Sequence, residues 1–255
     1  MTQIINTDVS CEWVKYDKKI FHESWKPDDE LLYLFKIKIG NFKKKIGFLE
    51  SFLTTDELQR ANKYYKLEDK NRFIVCRSIL RLVLGKFSSL EPNEVILKSS
   101  NTKKPFFHSY PSIKFNISHT RKYGLLAISN EEVGVDVELN DESYNFKLVI
   151  PSVLNEAEIS QINISNEPSK EFFKYWTRKE AFTKLIGTGI DDTVTSIPTQ
   201  NGKHLIPRLV IKKNESISVL SFNIGKSHIG SLATLNKKNV FKNLRCYIID
   251  DIQSF

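Results

Sequence analysis

Three acidic residues and one lysine have the types and spacing to do chemistry together. Asp136 and Glu138 lie in Gly134-Val135-Asp136-Val137-Glu138, a β-branched run that reads as a strand. Side chains alternate faces along a strand, so the two acids share one face and Val135 and Val137 the other. Glu180 lies in Trp176-Thr177-Arg178-Lys179-Glu180-Ala181-Phe182-Thr183-Lys184. That segment reads as a helix, with Trp176, Glu180 and Lys184 stacked along one side at four-residue steps. Carboxylates are depleted in strands and costly to bury unpaired. Two on one face of an otherwise apolar strand point to a hard cation. A third, with a lysine one turn later, suits a site for Mg²⁺ and a phosphorylated ligand. The plainer readings are an edge strand whose acids face water and a Glu180–Lys184 surface pair contributing only ~0.2–0.5 kcal/mol. Trp176 on the same stripe argues for partial burial, and with it a lysine placed to hold phosphate charge.

Other candidates weigh less on their own. Ser118 and His119 end the run Phe115-Asn116-Ile117-Ser118-His119. Adjacent strand residues point to opposite faces, and there is no Gly-x-Ser-x-Gly elbow, which argues against a nucleophilic serine with its base. Donation from both to a phosphate is the better chemistry, beside the plain alternative of a histidine capping a turn. Arg72, Arg77 and Arg81 interrupt an apolar helical run, so partial burial against an anion is a reading for them. With Lys103 and Lys104 they would form a basic lining, although each alone reads as a surface residue. Gly187-Thr188-Gly189 follows a helix, whereas a phosphate-binding P-loop precedes one, so it reads as a helix stop.

The elements that must position these residues alternate in type. Leu31 to Ile39 reads as a strand. Thr54-Thr55-Asp56-Glu57 offers a hydroxyl cap and first-turn acids, opening a long helical region to about Lys86 with Gly85 as its stop. Short strands follow at Val95 to Lys98, Phe115 to His119, Gly124 to Ile128 and Gly134 to Glu138. Helices are expected around Ser152 to Ile162 and Lys170 to Leu185. Further strands are expected at Leu209 to Ile211, Ser216 to Ile224, Gly230 to Leu235 and Leu244 to Ile249. Phe222-Asn223-Ile224 followed by Gly230-Ser231-Leu232-Ala233 echoes Phe115-Asn116-Ile117 followed by Gly124-Leu125-Leu126-Ala127, compatible with two halves of related architecture.

Composition bounds the function without choosing it. The 255 residues suffice for one large domain or two small ones. Hydrophobic content of 40% and charged content of 27% are those of an ordinary globular chain. A formal charge of +8 favours anionic partners: nucleic acid, phosphorylated cofactors or acidic proteins. Cys11, Cys76 and Cys246 are far apart with no Cys-x-x-Cys pair, which reads as a reducing compartment, the cytoplasm, and no zinc site. Met1 to Lys19 lacks the apolar run of a secretory signal, and no stretch approaches the ~20 apolar residues of a membrane span. A nucleic-acid-binding protein would need an Arg/Lys stripe with stacking aromatics or a recognisable module, and the sequence has neither.

Taken together, Phe115 to His119, Gly134 to Glu138 and Trp176-x-x-Lys179-Glu180-Ala181-x-x-Lys184-x-x-Gly187-x-Gly189 resemble the three signature blocks of 4′-phosphopantetheinyl transferases of the long, monomeric, surfactin-synthetase type. The resemblance spans roughly Asp56 to Gly189 and is loose before Phe115. It implies an α+β fold of two similar halves, residues 1–129 and 130–255, related by a pseudo-twofold with the active site in the cleft between them. It implies transfer of the phosphopantetheine arm of coenzyme A to a serine of an acidic carrier protein, releasing adenosine 3′,5′-bisphosphate, with no nucleic-acid or membrane partner. By the same resemblance Asp136, Glu138 and Glu180 coordinate Mg²⁺, or Mn²⁺ in its place. Lys184 binds the pyrophosphate, and Arg72, Ser118 and His119 contact phosphates of the coenzyme. Lys104 and Pro105 border the nucleotide, and Leu154-Asn155-Glu156-Ala157-Glu158 offers two candidates for the general base, Glu156 and Glu158, of which the local pattern around Ile159 favours Glu158. Two departures touch nucleotide binding: Lys103 stands where the family usually has glycine, and Glu57 where it often has lysine. An inactive carrier-binding homologue is the remaining alternative, opposed by the intact acids.

Overall fold

The computed structural model describes residues 11–16, 32–197, 199, 202–205, 216–235 and 240–255. Strand β1 spans Trp13–Lys15 and β2 Leu32–Lys38. Helices α1 (Ile46–Glu50), α2 (Thr55–Asn62) and α3 (Leu67–Ser88) follow, then β3 (Leu97–Ser99) and β4 (Pro105–Phe107). The hairpin β5 (Lys114–His119) and β6 (Tyr123–Ser129) leads into β7 (Val133–Leu139). Next come α4 (Ile150–Val153), α5 (Glu156–Ile164) and α6 (Pro168–Ile186). Strands β8 (Gly202–Leu205), β9 (Ser216–Ile224), β10 (His228–Leu235) and β11 (Leu244–Ile249) complete the chain. The fold is mixed α+β, as expected. The strand read at Leu209 to Ile211 lies outside the described residues.

Local signals explain most boundaries and correct others. Thr54 caps α2: its hydroxyl accepts from Glu57 N, and the Glu57 carboxylate accepts from Thr54 N. Two orphan amide groups are satisfied at once. The helical region expected to continue to Lys86 is interrupted after Asn62 and resumes at Leu67. Gly85 does not stop it. The left-handed cap falls on Ser89 (φ 56°), and Leu90 N returns to Gly85 O at 3.0 Å. The single helix expected from Ser152 to Ile162 is two. Asn155 caps α5 by accepting from Glu158 N at 3.0 Å, while the Glu158 carboxylate accepts from Asn155 N at 3.0 Å. α6 has Pro168 in its first turn and ends on Gly187 at φ 81°, whose N–H bonds Thr183 O at 2.7 Å.

Two sheets face each other. The first runs β1-β11-β2-β6-β5, with β1, β11 and β2 parallel and the rest antiparallel; the second runs β7-β10-β9-β8, all antiparallel. Strand alternation assigns their faces. Tyr33, Phe35 and Ile37 of β2 pack with Leu126 and Ile128 of β6 and with Ile74, Leu80 and Val83 of α3. Leu32, Leu34, Leu125 and Ala127 point the other way, onto Val135, Val137, Leu220 and Leu232 of the second sheet. The outer face of that sheet, with Val219, Ile229 and Ala233, is covered by Phe172, Phe182 and Leu185 of α6. The order of layers is therefore helix, sheet, sheet, helix. β11 lies in the first sheet beside β2, so the chain crosses the division read at residue 130. No helix among the described residues is long and apolar enough to cross a membrane.

Candidate active site

The edges of the two sheets meet where β5 passes β7. Asn116 and Ser118 share the face of β5 opposite Phe115 and Ile117. Asn116 Oδ1 accepts from Val135 N at 2.9 Å, and Ser118 Oγ donates to Asp136 Oδ1 at 2.8 Å. The valines of β7 are committed to the inter-sheet core, so Asp136 and Glu138 face α6. Gly134 permits that contact. A Cβ there would lie 1.9 Å from Ala181 O and 2.5 Å from Leu185 N, so only glycine lets β7 come this close to the helix backbone.

On α6 the stripe Trp176, Glu180, Lys184 meets those acids. Lys184 Nζ lies 2.5 Å from Asp136 Oδ1, 3.1 Å from Ser118 Oγ and 3.9 Å from Glu180 Oε2. The Trp176 indole donates a hydrogen bond to Glu138. Asp136 is buried, and its second oxygen, Oδ2, has no hydrogen-bond partner. A buried carboxylate oxygen without a donor is costly. The strain shows in its neighbours. Glu138 has its pKa pushed up to about 7, by burial first and then by the charge of Asp136. Glu180 is raised by burial, with Lys184 opposing and Asp136 adding. Three carboxylates share one lysine, and the surplus is negative.

This donor set is oxygen-only and hard, the kind that suits Mg²⁺ or Mn²⁺. Among the described residues, no three His, Cys, Asp or Glu side chains already form a cluster that could hold a metal ion. The ammonium of Lys184 holds Asp136 Oδ1 and supplies the counter-charge instead. The orphaned Oδ2 and the two raised glutamates are the unmet demand for more.

Two pockets flank the cluster. One of about 320 Å³ is lined by Lys104, Pro105, Asn116, Glu180, Lys184 and Gly187. The other, about 340 Å³, has Glu138 on its rim and Leu139, Tyr144, Phe172, Phe173 and Trp176 as its walls. A ligand with charge at its middle and two dissimilar arms fits that layout.

The remaining sequence candidates divide. Lys104 reaches the first pocket's wall, but its ammonium is tied to Glu132 Oε2 at 2.6 Å and Leu185 O at 2.8 Å. Burial lowers its pKa, with Glu132 opposing. His119 sits at the exposed end of β5 on the opposite face from Ser118. Surrounding protein still displaces enough water to lower its pKa, and the charges of Arg72 and Lys184 add to this. Arg72 pairs with Asp69 at 2.9 Å and leaves its Nε buried without a partner. Arg77 and Arg81 do not line an anion site. Both pair with Glu57, at 3.5 and 2.7 Å, and Arg81 also donates to Pro92 O and Val95 O.

Glu158 is not brought to the cluster. It is buried, pairs with Lys179 Nζ at 3.1 Å, accepts from Thr199 Oγ1 at 2.6 Å and closes the α5 cap. Lys179 in turn donates to Val194 O and Ile197 O. These contacts lie on the side of α6 turned away from Glu180 and Lys184. The Asn-x-x-Glu spacing was the available signal: it is a capping box. Asn116 was missed as a positioning residue. Its signal was a lone amide between two apolar strand residues that face the other way.

Two family models match adjoining stretches of the chain. Residues 132–233, which hold Asp136, Glu138, Glu180 and Lys184, match the family model of the 4′-phosphopantetheinyl transferase superfamily. Residues 42–131 match that of the 4′-phosphopantetheinyl transferase N-terminal region. The chain belongs to the 4′-phosphopantetheinyl transferase superfamily. It is similar to the 4′-phosphopantetheinyl transferase HetI of Nostoc sp., 31% identical over 62% of this chain and 70% of that protein. It is also similar to the transferase gsp of Aneurinibacillus migulanus, 29% identical over 56% and 60% respectively. Against the transferase Sfp of Bacillus subtilis it is 24% identical over 55% and 62%. The match to the last two thus spans less than two thirds of their length. Within the superfamily member described here, the carboxylate–lysine cluster and both flanking pockets draw on residues inside the matched regions.

Proposed function

We propose that this protein transfers the 4′-phosphopantetheine arm of coenzyme A to a serine hydroxyl of an apo carrier protein, releasing adenosine 3′,5′-bisphosphate. The observation that carries the reading is the convergence of Ser118, Asp136, Glu180 and Lys184 between two pockets, with Asp136 Oδ2 buried and unpartnered. Asp136, Glu138 and Glu180 would hold a Mg²⁺ ion, or Mn²⁺. Bound there, such an ion neutralises the pyrophosphate and stabilises charge on the leaving oxygen.

The chain's own groups do the rest. Lys184, free to exchange Asp136 for phosphate oxygens, holds the pyrophosphate. Ser118 donates to the same region, while His119 and Arg72 take a further phosphate of the nucleotide on the other face of β5. The pocket beside Lys104 and Pro105 takes the nucleotide and leaves the apolar trough beside Trp176 on the opposite side of the cluster. Positioning the serine hydroxyl in line and stabilising the developing charge are the two contributions a site of this kind makes. The hydroxyl proton leaves through water at the open side of the cluster, because the three carboxylates would be engaged by the ion. Glu158, read from the resemblance as the favoured base, is engaged by Lys179, Thr199 Oγ1 and Asn155 N, which supports a structural part for it.

The halves are read as a pseudo-twofold pair acting as a monomer. In each, the strand before the long helix is flanked by the second strand of a later hairpin: β2-β6-β5 in one sheet, β7-β10-β9 in the other. The positive charge of +8 suits an acidic carrier and would speed encounter. Intact-mass analysis of a panel of apo carrier proteins, incubated with this protein, coenzyme A and Mg²⁺, tests the reaction. Gain of the arm by at least one carrier is expected. Gain of nothing by any, from folded protein that binds coenzyme A, would overturn it.

A further inference from the structure

Away from the carboxylate cluster, two thiols meet at the edge of the first sheet. Cys246 is buried in β11, aligned with Trp13 of β1 in a parallel register. Cys11 precedes Trp13 by two residues. Burial alternates here: Cys11 and Trp13 are partly buried, Glu12 and Val14 exposed. The alternation puts Cys11 on the face of Trp13, and so on the face of Cys246. Both cysteines and Trp13 belong to one apolar cluster with Phe222 and Leu244. The two thiols lie close enough to perturb each other's titration. Lys36 of the adjoining strand β2 completes the setting, its ammonium 4.3 Å over the Trp13 ring.

We propose that Cys11 and Cys246 are a reversible dithiol–disulfide pair, a modification site at which a peroxide or a small disulfide staples β1 to β11. The two sulfurs have different roles. Access sets them: Cys11 is partly exposed and Cys246 buried. The charge of Lys36 favours a thiolate on either sulfur. Cys11, the one an oxidant reaches, attacks; Cys246 resolves. With hydrogen peroxide, the Cys11 sulfur takes one oxygen as the O–O bond breaks, giving a sulfenic acid and one water. The Cys246 thiol then loses its proton and its sulfur attacks that of Cys11, and the hydroxide expelled leaves as a second water. Two thiols and one peroxide give one disulfide and two waters. A disulfide oxidant balances likewise, through a mixed disulfide on Cys11 and release of two small thiols.

Bond formation draws the two neighbouring sulfurs to ~2.05 Å. Cys11 lies before the first residue of β1, so its approach breaks no ladder pairing. Cys76, the third cysteine, is buried in the α3 core with its pKa pushed up to about 12 by burial, and is the built-in unreactive control.

The test uses the full chain carrying Cys76→Ala. It is treated with hydrogen peroxide and, separately, with oxidised glutathione, then alkylated and digested without reductant. A linked peptide pair containing Cys11 and Cys246, two hydrogens lighter and separated by dithiothreitol, is expected. The thermal midpoint should rise by roughly 5 °C or more on oxidation and return on reduction, because the closed loop is long. Cys11→Ser should abolish both changes while leaving the reduced midpoint near that of the parent. Over-oxidation of Cys11 with Cys246 still alkylable, a link between two molecules, or a linked pair with an unchanged midpoint would each overturn the proposal.

Discussion

Helix α6 carries two lysine–carboxylate pairs five residues apart, and they have opposite characters. Lys179 and Glu158 are both buried, and every polar group around them is answered: Glu158 by Asn155 N, Thr199 Oγ1 and Lys179, Lys179 by two backbone carbonyls besides. Lys184 and Asp136 are not settled. The lysine side chain remains 30% exposed, one oxygen of the aspartate has no partner, and two further carboxylates crowd it. A satisfied buried pair behaves as architecture. A pair with surplus charge and an orphaned atom behaves as a site awaiting a ligand. The same residue types at neighbouring positions thus serve two ends, and satisfaction rather than identity separates them.

The sharpest way to break this contrast is to remove one member from each pair. Lys179→Met should lose ~3–5 kcal/mol of unfolding free energy, because Glu158 is left buried and unpaired. Urea denaturation measures this, and the double change Lys179→Met with Glu158→Leu should recover most of it. Asp136→Ala should do the reverse: transfer to a carrier protein falls by roughly 10²–10³-fold, the scale of losing one electrostatic group that acts on the transition state. Its urea midpoint should stay at or above that of the parent. A wild-type rate from Asp136→Ala would remove the metal assignment.

Gly134→Ala should damage both properties, since β7 must retreat from α6; overpacking of this kind costs up to ~3 kcal/mol, read by thermal unfolding alongside transfer rate. Thr199→Val tests the settled pair more gently. Loss of one hydrogen bond to a charged group should lower stability by ~1.5–3 kcal/mol with the transfer rate unchanged. The pH dependence is the most diagnostic. Glu138 titrates at about 7 in the folded protein against an ordinary 4.5, so folding favours its protonated form. In metal-free protein that stabilisation is complete below pH 4.5 and disappears as pH rises through 7. Saturating Mg²⁺ should erase the dependence, because an ion among the carboxylates favours their charged forms.

Much of this was readable before folding was considered. Strand alternation places Asp136 and Glu138 together, the four-residue step places Trp176, Glu180 and Lys184 together, and Thr54-x-x-Glu57 announces a helix start. Two readings found local partners instead. Glu158 resembled a catalytic base because a carboxylate near the metal blocks invites that role, yet its Asn155-x-x-Glu158 spacing was local architecture. Arg77 and Arg81 resembled an anion lining because charges inside an apolar helix invite one, yet Glu57, some twenty residues upstream, satisfies them.

What this chain's sequence determines by itself is which side chains share a face, because one residue's backbone torsions set the direction of the next. It also determines where helices begin, because a cap and its amides are three residues apart. Only the tertiary structure decided that Asp136 meets Lys184 across 48 residues, that Lys179 is turned inward, that β11 returns to the first sheet and that Cys11 finds Cys246. Those pairings depend on which apolar faces bury one another. The choice belongs to the whole core, and no local spacing records it.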